Sequence, residues 1–248
     1  STGDWRDVEV RHSPLFVKYS IAALKEIRDG ATKTILIGST CDPYPPLEKT
    51  RGATRDILHC LKVGNVWRQE SGDTPHRILV LTKSPIVCRD WELLKELDAW
   101  VGMTITAPSG VDTRAWEIHA PSNASRIRAL KFLHKKGVKT FCSIEPWLIR
   151  ERDAQGLTFK ERWAIVEAGG TPIGAFWDIT SPQEIIKETA PFVDYFIVGS
   201  WNQGGKPKEK LVPYYRRALP AVMAALKASG KPFWVKPELD KLKEVLDE

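Results

Sequence analysis

The chain has no two cysteines close enough in sequence to form a metal knuckle. Cys41, Cys60, Cys88 and Cys142 show no CxxC spacing and no Cys/His grouping. That spacing argues against a disulfide scaffold and a local zinc site, and for a reducing, cytoplasmic compartment. The histidines at 12, 59, 76, 119 and 134 show no HxxxH spacing, so histidine metal binding is not expected. No GxGxxG and no GxxxxGK[ST] occurs, which leaves a dinucleotide fold and a P-loop without support. The GxSxG elbow of serine hydrolases is also missing. No apolar run approaches the roughly 20 residues that span a bilayer, and no secretory segment opens the chain. No membrane partner is expected, and there are no repeats or low-complexity tracts.

What is present is an ordinary globular composition: 248 residues, 42% hydrophobic and 27% charged. That length suits one large α/β domain or two small ones. The net charge of +6 is scattered along the chain rather than run together. It is compatible with an anionic ligand, and it fits a solvated surface better than a dedicated nucleic-acid face.

Short apolar runs alternate with helical periods. Strands are expected at 34–39, 77–82, 102–106, 139–144, 194–200 and 232–235. Helices are expected between them. One is "FVKYSIAALKEIRDG", apolar at 21, 24 and 27. Others are "TRDILHCLKVG", "DWELLKELDAW" with Asp90 as cap, and "NASRIRALKFLHKKG" with Asn123 as cap. The last two are "SPQEIIKETAPF", with a Ser181–Glu184 capping box, and the proline-interrupted "KLVPYYRRALPAVMAALKASG". Repeated strand–helix alternation implies a parallel sheet, because parallel neighbours need crossover connections. Six units predict an α/β fold: a partial (β/α)6 TIM-like barrel with the helices outside. One domain is expected over 1–248, with an insertion at 150–178 covering one end.

In such barrels the strands' carboxyl ends share one face, which carries the chemistry. Polar residues follow each expected strand: Cys41 and Asp42, Lys83 and Ser84, Thr104 and Thr106, Ser143 and Glu145, Ser200 and Asn202, and Lys236. They are expected to converge on one cleft. Asp42 suits a ligand ammonium, or an Asx-turn completed by Pro43. Lys83 suits a carboxylate or phosphate, or lies at the surface with its charged end in water. Glu145 suits a ligand, or pairs with Lys83. Arg89 and Asp90 suit an ordinary salt bridge at a helix start. From the residues alone, the chain reads as a barrel binding a small zwitterionic or anionic ligand, with no reaction specified.

Three stretches carry a resemblance. The first supplies Asp42, Pro43, Tyr44, Pro46, Glu48, Thr54 and Arg55; the second Thr82, Lys83, Ser84, Arg89 and Asp90. The third supplies Glu117, Ala120 and Pro121, with Arg126 or Arg128 beyond. In this order, over roughly residues 34–202, they resemble the radical S-adenosylmethionine (SAM) superfamily, in the branch that includes spore photoproduct lyase. The resemblance implies a [4Fe-4S] cluster held by three cysteines, with SAM on the fourth iron. It also implies reduction by an electron donor and cleavage of SAM to a 5′-deoxyadenosyl radical. By the same resemblance, Cys41 and Asp42 lie near the SAM amino group and Lys83 faces its carboxylate. Thr104 or Thr106 approaches the ribose, Ser143 and Glu145 lie along the nucleoside, and Val198 and Gly199 border the adenine.

The family's CxxxCxxC loop is absent from these 248 residues. The chain opens Ser1-Thr2-Gly3 without an initiator methionine, so the cluster ligands are expected upstream of Ser1. A barrel that binds SAM or a nucleotide without radical chemistry is the alternative expectation. A nucleic-acid repair or modification lyase is a third. Substrate contacts are expected from 150–178 and the C-terminal region.

Overall fold

A computed structural model describes residues 25, 30–39, 41–114, 117–146, 149–152, 176–179, 182–200, 202–203, 206–207 and 212–240. Six parallel strands form its one large sheet: β1 (Thr34–Ile37), β2 (Arg77–Thr82), β3 (Trp100–Thr104), β4 (Lys139–Ile144), β5 (Tyr195–Val198) and β6 (Phe233–Val235). They pair in chain order and curl into a half-barrel whose edges are β1 and β6. All six answer to the expected apolar runs, because Ile, Val, Leu and Thr suit a pleated surface covered on both faces. Thr104 pairs with Ser143, Ile144 with Val198 and Val235 with Val198. The tips of β3 to β6 therefore stand level.

Among the described residues, the α-helices longer than one turn are α1 (Ala53–Glu70), α2 (Trp91–Glu96), α3 (Asn123–Lys135), α4 (Pro182–Thr189) and α5 (Val212–Ala228). Ile127, Leu130 and Leu133 of α3 are buried, as their spacing predicts, in one core with Val101, Met103 and Cys142 of the sheet. α5 is one continuous helix with Pro220 inside it, where the prolines had suggested interruption. Between β4 and β5 the chain leaves the sheet, and Ile149–Arg152 pairs antiparallel with Phe176–Ile179. Most of the expected 150–178 insertion lies outside the described residues. So do the Ser181 cap and all of the expected first helix except Lys25 and Gly30.

Two expected caps are corrected. Ser122, not Asn123, caps α3: its side chain accepts from the Ser125 N–H. The Asn123 amide instead turns inward, where its Oδ1 accepts the Thr106 N–H at 3.0 Å. Asp90 stands at the N-cap position of α2 without making a side-chain cap. Its carboxylate is taken by two arginines, described below.

Candidate functional site at the carboxyl ends of the strands

The turn after β1 is built by Asp42. Its Oδ1 accepts the Tyr44 N–H at 2.9 Å, a local Asx-turn that accommodates Pro43. The same oxygen accepts from Thr82 Oγ1 at 2.6 Å, and Oδ2 accepts the Lys83 N–H at 2.7 Å. Asp42 thus ties the tip of β1 to the tip of β2. The ammonium contact expected of Asp42 would have to coexist with these three bonds.

Lys83 turns its side chain to Glu117, with Nζ 2.8 Å from Oε1. The lysine is 38% exposed and the carboxylate 7%. Glu117 is the hub of this side. Arg126, completely buried, donates to its two oxygens at 3.1 and 2.9 Å. Thr106 Oγ1 donates to Oε2 at 2.8 Å. Arg126 also binds the Pro121 and Thr104 carbonyls at 2.7 and 3.0 Å. Burial alone would raise the Glu117 pKa, but Arg126 and Lys83 outweigh it and hold the carboxyl below its ordinary value. Asp42, Lys83, Ser84 and Glu117 line an open pocket of about 350 Å³ together with residues 118–121. A neighbouring pocket of about 610 Å³ along 109–114 shares Ile118, His119 and Ala120 with it.

The other side of the mouth holds Ser143, Glu145, Val198 and Gly199. Glu145 pairs with Lys236, Nζ to Oε2 at 2.5 Å, and not with Lys83 as one reading of the sequence had it. Ser143 and Val198 are buried strand residues. Thr104 and Thr106 are buried as well. Thr106 is engaged with Glu117 and Asn123 and does not line either pocket. Ser200, just past β5, is 1% exposed, and its hydroxyl has no hydrogen-bond partner among the described residues. The sequence marked Lys236 only as a polar strand end, and nothing local signalled its pairing with Glu145.

Beneath the mouth, the remainder of the "DPYPPLEKTRGATR" stretch is a framework. Buried Tyr44 donates to Asp90 Oδ2 at 3.2 Å. Arg55 and Arg89 both donate to Asp90, at 2.6 and 3.0 Å. Arg89 reaches on to Glu48 at 3.0 Å. The Glu48 carboxylate accepts the Thr54 N–H at 3.1 Å, at the start of α1, where a negative charge also suits the helix dipole. Thr54 Oγ1 donates to the Pro43 carbonyl. Burial would raise the Asp90 pKa, but Arg89 and Arg55 reverse that and lower it. The expected Arg89–Asp90 bridge is therefore present, within a larger network.

The cysteines do not assemble. Cys41 and Cys60 are exposed. Burial pushes the Cys88 thiol up to about 11 and the Cys142 thiol up to about 12. Among the described residues, no group of three or more His, Cys, Asp or Glu side chains is placed to hold a metal ion. The residues present do not fit an iron–sulfur cluster. They do fit a zwitterion, with a cation and carboxylates at the lip of one pocket. No helix among the described residues is long and apolar enough to cross a membrane.

The fold and site define an α/β half-barrel with a charged pocket at its strand tips. No family model matches the chain. An uncharacterized protein of Methanocaldococcus jannaschii is 35% identical over 113 residues, which are 45% of this chain and 39% of that protein. Among solved structures, SuiB of Streptococcus suis bound to S-adenosylmethionine overlaps with a TM-score of 0.48 at 11% identity, covering 93% of this chain and 45% of that one. SuiB bound to its precursor peptide SuiA gives 0.37 at 11% identity, covering 99% and 59%. The chain thus spans less than two thirds of each of these proteins.

Proposed function

We propose that this half-barrel binds SAM at its strand-tip mouth, as the barrel of a radical SAM enzyme. The observation that carries the reading is the Lys83–Glu117 pair at the lip of a pocket that Asp42 also lines. It places a donor and acceptors side by side, as an amino-acid zwitterion requires. In this reading the remaining Lys83 donors take the ligand carboxylate and Asp42 takes its ammonium. Ser143, Glu145, Val198 and Gly199 meet the nucleoside, and Cys41 lies beside the amino group. The radical step would need a [4Fe-4S] cluster, and the described residues supply no ligand set for one. Its CxxxCxxC loop is not part of these 248 residues.

Calorimetry tests the binding. SAM should bind this chain, and Lys83→Met should weaken it about tenfold, the scale of a lost charge-assisted contact. Absence of binding removes the reading. The radical step is tested on the full-length gene product after anaerobic reconstitution, which should absorb at about 400 nm. If that product carries no CxxxCxxC loop and no such absorption, the barrel binds SAM or a nucleotide without radical chemistry. A nucleic-acid substrate would show binding that weakens steeply with salt, and a flat response excludes it.

A further inference from the structure

Glu145 and Lys236 meet across a strand that belongs to neither. Glu145 follows β4 and Lys236 follows β6, with β5 between them in the sheet. Lys236 is anchored before it reaches over: its N–H donates to the Val198 carbonyl at 2.9 Å. Its own carbonyl accepts from Leu239 and Asp240 at 2.9 and 3.1 Å, which starts a single helical turn at Pro237–Asp240. The β5 tip is also tied down, by Gly199 N–H to the Ile144 carbonyl at 3.1 Å. Gly199 leaves the gap the pair occupies. A Cβ there would lie 2.7 Å from Glu145 Cδ and 2.9 Å from Oε1, closer than real Cβ contacts come. Two features therefore fix one carboxylate: a cation holds it from beyond β5, and the missing side chain beneath lets it lie there.

We infer that Lys236 is a positioning residue, holding the Glu145 carboxylate over Gly199 in the orientation that meets the nucleoside part of the ligand. This rests on the SAM reading of the mouth. The pair is partly shielded, with side chains 28% and 22% exposed, so it is screened less than a surface bridge. Without Lys236, Glu145 has no described cation partner at the β5 tip, and its side chain is free to swing to solvent.

Calorimetric titration with SAM, adenosine and methionine tests the inference. Lys236→Met should lower SAM and adenosine affinity about tenfold, the scale of one misplaced hydrogen bond. Methionine affinity should not change, because methionine has no nucleoside. Lys236→Arg should restore binding. Gly199→Ala should reproduce the loss, and Gly199→Ala/Lys236→Met should be no worse than either single change, since both displace one carboxylate. If Lys236→Met fails to fold, as thermal denaturation would report, Lys236→Arg and Gly199→Ala decide the matter. Wild-type SAM binding by Lys236→Met while Glu145→Gln loses affinity overturns the inference alone. An equal fall in methionine affinity, or additive losses in the double variant, also overturns it. Wild-type binding by Glu145→Gln removes instead the assignment of Glu145 to the nucleoside.

Discussion

Replacing Arg126 by Met should cost more stability than any other single change at the mouth. The arginine is completely buried and donates to Pro121 O, Thr104 O and both Glu117 oxygens. Methionine keeps the stem but leaves two carbonyls and part of a buried carboxylate unmet. Breaking a buried pair costs about 3–5 kcal/mol. Glu117 still keeps Lys83 and Thr106, which places the expected loss near the lower end, about 3 kcal/mol. Urea denaturation should show a midpoint lowered by about 1 M for a domain of this size. Acid adds a second readout. The folded pKa of Glu117 lies below its unfolded value of about 4.3. Its stabilisation is therefore complete above that value and is lost as pH falls through the folded pKa. Removing Arg126 should move that loss to higher pH, while the similar contribution of Asp90 cancels in the comparison. A midpoint within about 0.3 M of wild type, or an unchanged acid limb, would refute the account of Glu117 as an ionised hub.

Gly102→Ala should destabilise by about 1–3 kcal/mol in the same assay, because its Cβ would fall 2.1 Å from the buried Phe141 ring, and such overpacking forces off-rotamer side chains or backbone shifts. Thiol titration at neutral pH should modify Cys41 and Cys60 quickly and Cys88 slowly, with Cys142 reacting only after unfolding, since burial keeps the last two protonated. Tyr44→Phe should cost about 1 kcal/mol by leaving Asp90 one donor short. Arg114→Ala should stay within about 0.5 kcal/mol of wild type, because its bridge to Asp112 is exposed on both sides.

The sheet was legible because its signal is local. A run such as "RILVLT" states both its strand character and its burial, and the residues that follow it must lie at the tips. The partners across the mouth were not legible, since pairing depends on where non-adjacent strands fall in the sheet. Glu145 had two cations to choose from, Lys83 at the tip of β2 and Lys236 after β6. Sheet order puts β3 between β4 and β2, and Glu117, from the loop after β3, reaches Lys83 first. The α3 cap failed for a related reason. Ser122 and Asn123 are both good cap residues, and only the buried Thr106 amide decides that Asn123 faces inward. Asp42 forms the expected Asx-turn and also lines the pocket.

Charge balance narrows what the mouth accepts. Asp42, Glu117 and Glu145 stand against Lys83, Arg126 and Lys236. Below them, Glu48 and Asp90 stand against Arg55 and Arg89. Among the described residues named here, neither layer holds a surplus cation. A polyanion brought to the mouth would meet the carboxylates of Asp42, Glu117 and Glu145 with no cation of these two layers in surplus to offset them. A ligand that carries its own ammonium and carboxylate adds to the Lys83–Glu117 arrangement without that penalty. Substituting Lys83 should then change SAM affinity while leaving the salt dependence of oligonucleotide binding unaltered.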